Sequence, residues 1–387
     1  MKVLQIANNY AGSKVYINLI QQLEHLGIEQ TIYCPIRDSY FFGKNQFEGK
    51  NVKFVYSHCI RPWYKYVYHY KAYKLYKDLK KNVDLRKIDF IHAHTLFSDG
   101  ALAYEAYREY GIKYAVAVRN SDLNSFIRIM KHTYHKGRSI LLHAEKIYFI
   151  SAGIMKSFSE SSFVRPILDE VKDKFVLRPN GIEDYWHYHL STDIRKGQDL
   201  LYIGVFNSNK NVARLAEAVV KLRSENTFDN LRLILVGGNA EGDGRKTDEN
   251  LQKLMDEHPD IILNKGRIME KDKLKAVMES CSLFAMPSIH ETFGLVYVEA
   301  LSQNLPVIYT KGQGIDGFFD STVGVAVNPF SVDEIKDAIK KILSNHSGYG
   351  NQNVDFDQFK WDRIALSYVQ DYIDIFANKS VSGQFRA

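Results

Sequence analysis

The chain has 387 residues, 45% of them hydrophobic and 25% charged, with a formal net charge of +6. Those fractions exclude a disordered or low-complexity polypeptide and suit two globular domains of roughly 180 residues each. Cys34, Cys59 and Cys281 are odd in number, scattered and without a CxxC pair, so neither a disulfide framework nor a zinc site is expected. No apolar run approaches the ~18 residues of a membrane span, and the strand-like N-terminus is too short for a signal-peptide core, so a cytoplasmic protein is expected.

Residues 3–7 read as a buried strand, 8–13 as a turn, and Val15, Ile17, Leu19, Ile20 and Leu23 as one face of a helix. Further strand-like runs lie at 29–34, 52–56, 90–94, 113–118 and 146–151, with helical segments between most of them. This alternation predicts an α/β fold with a parallel doubly wound sheet, whose ligands bind at the carboxyl ends of the strands. The rule singles out Gly12-Ser13, His92 to His94, Arg119 to Asp122 and Ser151 to Gly153. The first loop has one glycine where a dinucleotide fingerprint needs three. His92 and His94 are read as pointing to opposite faces of their strand, unable to share a metal; His92 is read as structural and His94 as either structural or cleft-facing.

Residues 61–81 are the most unusual in composition, with tyrosines and lysines interleaved. Lys71, Lys74, Lys77 and Lys81 fall on one helical stripe with Tyr66, Tyr70, Tyr73 and Tyr76 nearby, and Leu75 and Leu79 turned away. Two readings stay open: contact with an anionic membrane surface, or a solvated lysine face over tyrosines packed on the sheet. Residues 131–138 form a second basic cluster that extends the same surface on the first reading. No nucleic-acid motif accompanies either segment, and no nucleic-acid partner is expected.

Asn180-Gly181 is a turn, and the polar stretch 183–198 reads as a linker, which sets a domain boundary near residue 185. A second alternation follows, with strands expected at 199–204, 231–236, 261–264, 283–287, 305–309 and 323–327. Lys210 lies just before an apolar-periodic helix, 212–222. The glycine-rich stretch 237–244 fits neither a P-loop nor a dinucleotide loop and is assigned no chemistry. After the strand ending at Pro287, a short loop carries Glu291, and Gly294 leads into a helix carrying Glu299. The two carboxylates fall roughly 10–15 Å apart on ideal geometry, a span suited to the two ends of a nucleotide-sugar. Between them the backbone N–H groups of Phe293, Gly294 and Leu295 are orphan helix-start donors able to take a diphosphate. The alternative is a solvated helix whose start merely favours an acid. Residues 311–317 follow the fifth strand of this half without an obvious helix after them and are read as a loop able to close on the sugar end. The amphipathic segment 359–376 is a final helix, and a disordered end is expected from Ser380.

Glu291 and Glu299, seven residues apart and enclosing Phe293-Gly294-Leu295, resemble the signature of the retaining GT-B glycosyltransferases of the GT4 family. Arg178-Pro-Asn-Gly-Ile182 and Lys210 resemble that family's interdomain turn and diphosphate-binding lysine. The resemblance implies two facing Rossmann-like doubly wound domains with the active site between them. Residues 1–184 would form the acceptor side, with helix 359–378 packing back on it, and 185–358 the nucleotide-sugar side. It implies that Glu291 bonds the sugar hydroxyls and Glu299 the ribose, while Lys210 and the Phe293–Leu295 amides hold the leaving diphosphate. Gly12, Ser13, Asn207 and Arg267 are further donor-side positions, and His94 and Asp122 acceptor-side ones. Arg119 stands where many relatives carry a histidine, and Val205 where they carry an arginine; Arg267 or Arg119 would supply the missing charge.

No metal or cofactor is implied. The donor is a nucleotide-diphosphate sugar, UDP favoured over GDP, and the acceptor a glycan or lipid-linked glycan of cell-surface polysaccharide assembly, with possible contact at the inner face of the membrane. A nucleotide-sugar 2-epimerase and a non-catalytic binding subunit of the same fold are the alternatives.

Overall fold

The computed structural model describes residues 1–239 and 248–382, with side chains through Ala377. The chain forms two compact units: one holds residues 1–150, 154–181 and Trp361 onward, the other residues 151–153 and 182–360.

The first unit is built on seven parallel strands, β1 (Lys2–Ile6), β2 (Glu29–Pro35), β3 (Val52–Ser57), β4 (Phe90–Ala93), β5 (Lys113–Val118), β6 (Lys146–Phe149) and β7 (Phe175–Leu177), in the order β3-β2-β1-β4-β5-β6-β7. Strands buried on both faces carry apolar residues without alternation, as in β5, where Tyr114 to Val118 are all fully buried. The direction of growth reverses between β1 and β4, which opens a crevice at their carboxyl ends.

The last helix, Trp361–Ser382, belongs to this unit. Its Trp361, Ile364, Tyr368, Tyr372 and Ile375 complete a core with Val3, Leu23, Phe90, Ala117 and Tyr148. It begins two residues later than expected, after a single turn at Phe356–Phe359. It also runs past Ser380, where disorder was expected, because no Gly or Pro interrupts the chain before Gly383. Residues 383–387 of the expected disordered end lie outside the described residues.

The expectation for His92 and His94 is corrected. Side chains on a strand repeat with period two, so residues two apart share a face. The two imidazoles stack at 4.2 Å and 15° inside the core.

The second unit has six parallel strands, β8 (Leu200–Val205), β9 (Leu233–Gly238), β10 (Ile262–Asn264), β11 (Leu283–Ala285), β12 (Val307–Thr310) and β13 (Gly324–Val327), ordered β10-β9-β8-β11-β12-β13. Its reversal lies between β8 and β11. Gly204 and Gly237 pair across β8 and β9, and a Cβ at Gly237, whose φ is +142°, would fall 1.8 Å from the Gly204 carbonyl. Gly237 and Gly238 thus close β9, while residues 240–247 of the glycine-rich stretch lie outside the described residues.

The stretch 183–198, read as a linker, is largely exposed but is pinned to the second unit at several points. Trp186 is fully buried on the short helix Asp184–Tyr188. Gln303 Nε2 donates to the His189 carbonyl at 2.9 Å, and Asn304 Nδ2 to those of Thr192 (2.9 Å) and Asp193 (3.1 Å). A large aromatic inside a polar run was the available signal, since its burial outweighs the polarity around it.

Candidate functional site

The reversal in the second sheet brings together the segments that follow β8 and β11. After β8, Asn207 caps a single turn, Ser208–Lys210, by accepting from Lys210 N at 3.0 Å. Asn211 then adopts a left-handed conformation (φ 59°) that starts the helix Val212–Ser224. Its buried amide donates to the carbonyls of Pro287 (3.0 Å) and Pro329 (2.6 Å). Asn209 bonds the second loop in both directions: Ile289 N donates to its carbonyl at 2.7 Å and its own amide donates to the His290 carbonyl at 3.0 Å. With the two loops stitched together, Lys210 Nζ lies 2.7 Å from Glu291 Oε2.

Glu291 is held from several directions. Ser288 Oγ donates to Oε2 at 3.3 Å and Thr292 N to Oε1 at 3.1 Å. Its own N–H donates to Gln313 Oε1 at 2.8 Å, while Gln313 Nε2 donates to the Ile289 carbonyl at 2.9 Å. Gly314 N donates to the Glu291 carbonyl at 3.3 Å. The Lys210 and Glu291 side chains are 24% and 10% exposed, so the pair is partly desolvated yet open to a ligand.

Beyond Glu291 the loop ends at Gly294, whose φ of +80° and lack of Cβ are both required: a Cβ there would lie 2.5 Å from the Tyr297 ring. The helix Leu295–Ser302 follows. Among the described residues the N–H groups of Phe293, Gly294 and Leu295 make no hydrogen bond, so the positive end of this helix keeps its donors free. Phe293 itself turns inward, edge-on to Phe318 at 5.4 Å.

Glu299 sits in the middle of that helix, half-buried. Burial pushes its carboxyl up to about 7, with Glu183 adding to the rise and Lys271 opposing it. Lys271 is shared with Glu183 at 2.7 Å. At the neighbouring strand end, Val205 pairs with Gly238, and Arg267 Nε comes within 3.9 Å of the Cβ position of Gly238. The exposed Arg267 also donates to the Asn239 carbonyl. A guanidinium therefore stands beside the strand end that Val205 leaves uncharged.

In the first unit, Gly12 closes the turn Tyr10–Gly12 and Ser13 precedes the helix Lys14–His25 without a side-chain cap bond. Arg119 is half-buried and lines a narrow crevice with Tyr16, His94, Trp361 and Tyr368. Its Nε donates to the His94 carbonyl at 3.2 Å. Asp122 is fully buried and His94 nearly so, at the floor of that crevice, so the expectation that they face an acceptor is corrected to a supporting role. Asp122 accepts from the N–H groups of Leu96 (3.2 Å), Phe97 (3.1 Å) and Arg119 (2.9 Å). These donors at a helix start and a turn draw an acid inward, and burial raises its carboxyl to about 6. His94 Nε2 meets Gln5 Oε1 at 2.9 Å, and burial lowers its basicity.

Gln313, Ser288, Asn211 and Lys271 were not singled out from sequence. Gln313 lies 22 residues from Glu291, inside the glycine-rich loop 311–317 that the sequence did mark, but nothing local singles out its side chain. Among the described residues no group of three or more His, Cys, Asp or Glu side chains is placed to hold a metal ion.

Two family models match, "Glycosyl transferases group 1" over residues 190–358 and "Glycosyltransferase Family 4" over residues 12–184. The chain is 24% identical over 388 aligned positions to an uncharacterized glycosyltransferase of Methanocaldococcus jannaschii, covering 97% of this chain and 99% of the relative. It is 23% identical to TuaC of Bacillus subtilis, a candidate teichuronic acid biosynthesis glycosyltransferase, over 88% of this chain and 89% of TuaC. In structure it resembles HepE of Anabaena, solved in complex with UDP-glucose, with a TM-score of 0.66 at 13% identity over 97% of this chain and all of HepE. Matched over nearly its whole length, with two doubly wound sheets and the Glu291–Glu299 loop and helix in the second, the chain belongs to the GT4-type glycosyltransferases of GT-B fold.

Proposed function

We propose that this protein transfers a sugar from a nucleotide-diphosphate sugar, UDP-linked in preference to GDP-linked, to a hydroxyl of a glycan or lipid-linked glycan, with retention of anomeric configuration and without a metal. The observation that carries the reading is the Lys210–Glu291 pair at 2.7 Å beside the free N–H groups of Phe293, Gly294 and Leu295. Glu291 accepts hydrogen bonds from the donor sugar's hydroxyls. As the bond from the anomeric carbon to the diphosphate oxygen breaks, negative charge builds on the leaving diphosphate. Lys210, Arg267 and the three amides stabilise that charge, and preorganised donors of this kind are worth ~3–4 kcal/mol each. The acceptor oxygen bonds the anomeric carbon, and its proton passes to the diphosphate oxygen that lost the sugar. Glu299 accepts from the ribose hydroxyls; Asn207 shapes the turn carrying Lys210.

Gly12, Ser13 and Arg119 are proposed to serve the same reaction from the first unit, Arg119 as a sugar or phosphate ligand. HepE's UDP-glucose complex and TuaC's assignment to teichuronic acid biosynthesis support the donor and acceptor classes.

The test is thermal-shift screening with UDP, GDP, ADP and their sugar conjugates, with and without EDTA, followed by turnover assays. A shift with UDP-sugars that EDTA does not alter is expected. Glu291→Ala is expected to lose transfer by on the order of 10²-fold or more while keeping nucleotide affinity; unchanged turnover removes Glu291 from the mechanism. Tight nucleotide binding without turnover on any acceptor would favour the non-catalytic reading, which Val205 supports, and release of an epimerised sugar the epimerase reading.

A further inference from the structure

We propose that the outward face of residues 61–81, continued by 128–132, docks the protein on a bilayer surface bearing anionic headgroups. The inference deepens the proposed function, since it gives a lipid-linked acceptor a place to be met, but its evidence is separate from the donor site.

The segment folds as a turn, Pro62–Tyr66, and a helix, Tyr68–Asn82. Tyr64, Tyr68, Leu75, Tyr76 and Leu79 are buried, so the hydrophobic demand of the element is already met on its inner side. The outer side still carries large aromatic rings, with Trp63 49%, Tyr66 74% and Tyr73 50% exposed. Trp63 also stacks on the exposed Tyr70 at 5.4 Å. Several large rings left exposed on one short segment mark an interaction surface.

The charge is as one-sided as the apolarity. The ammonium groups of Lys65, Lys74 and Lys77 lie 4.9, 5.3 and 4.7 Å from the ring centroids of Tyr66, Tyr70 and Tyr73. None of the three has a carboxylate partner among the described residues. Asp78, the one acid in the segment, is committed to the Tyr33 hydroxyl at 2.7 Å. The His69 and His132 rings lie 6.3 Å apart, which joins this face to the loop bearing Arg128, Lys131 and Ile129, the last 73% exposed.

Lysines among amphipathic rings match the headgroup boundary of a bilayer, where the rings sit at the interface and the ammonium groups reach phosphates. A soluble polyanion would satisfy the lysines but offers nothing to the aliphatic side chain of Ile129, 73% exposed. The observations favour the membrane.

The test is co-sedimentation of the full chain with phosphatidylcholine vesicles with and without phosphatidylglycerol, at low and raised salt. Binding that requires phosphatidylglycerol and weakens with salt is expected. The K65E/K74E/K77E variant is expected to bind on the order of 100-fold more weakly, and W63A/Y66A measurably more weakly, both with unchanged melting. Absence of vesicle binding, or a triple variant that sediments like the parent, overturns the proposal. So does binding to a soluble uronic-acid polymer without vesicle binding, which assigns the face to an anionic glycan. The assay contains neither donor nor acceptor, so its result is independent of the nucleotide thermal shift and of turnover.

Discussion

Lys210 and Glu291 stand 81 residues apart in the chain and 2.7 Å apart in space, and each makes the other's position tolerable. A buried carboxylate, here only 10% exposed, needs a cation or several donors as partners, and Glu291 has both. Glu299 has less support. Its pKa of about 7, raised chiefly by burial, leaves the carboxyl partly protonated near neutrality. If the anion accepts the ribose hydroxyls, binding must first remove that proton below pH 7. UDP affinity is therefore expected to fall as pH is lowered through about 7, approaching tenfold per unit. Isothermal titration across this range checks it, and Glu299→Gln should flatten the dependence while lowering affinity throughout. The proton acts on stability in the opposite sense. A folded-state pKa above the ordinary carboxylate value contributes stability below that value and loses it as pH rises through 7.

At the scale of the element, the site is a strand, a loop and a helix start, and that grammar was legible in the sequence. An apolar run ending at Pro287, a glycine at 294 and an apolar-periodic helix beyond it leave few other conformations. What holds the loop in shape was not legible. Gln313 arrives from the segment after β12 and bonds both sides of the loop, at Glu291 N and the Ile289 carbonyl. Gln313→Ala is expected to lower kcat by about tenfold with little change in nucleotide affinity, because the Glu291 backbone loses an acceptor worth ~1 kcal/mol and its carboxylate loses its fixed position. Steady-state kinetics beside nucleotide titration separates the two effects. An equal loss in both would mean that Gln313 touches the nucleotide directly.

At the scale of the whole molecule, the two sheets are unequal in how the chain builds them. The second unit is almost continuous in sequence, whereas the first is closed by a helix from the far end of the chain. Five buried side chains of that helix, Trp361, Ile364, Tyr368, Tyr372 and Ile375, contribute on the order of 10 kcal/mol of burial. That is comparable with the entire stability of a domain, about 5–15 kcal/mol. The helix also supplies the Tyr372 hydroxyl to His92 Nδ1 at 2.7 Å and Asp371 to Arg178 at 2.9 Å. A chain truncated before Trp361 is expected to lose the cooperative melting of the first unit while the second still melts and binds nucleotide. Calorimetry with and without UDP reads both.

The sequence by itself determined the alternation of strands and helices, and through it the two parallel sheets, because hydrophobic period and glycine placement act over a few residues. It also marked Glu291, Gly294 and Lys210 as candidates, through the strand–loop–helix pattern around Gly294 and the resemblance of the two charged positions to the GT4 family. Tertiary structure alone decided which side chains meet. The reversal between β8 and β11 sets Lys210 on Glu291, and packing turned Asp122 inward to accept from buried N–H groups and His94 inward against the Gln5 side-chain carbonyl. Packing also buried both histidines of one strand face and drew Trp186 out of a polar stretch into the second unit. Those outcomes depend on contacts between residues far apart in the chain, where burial and hydrogen-bond satisfaction outweigh local preference.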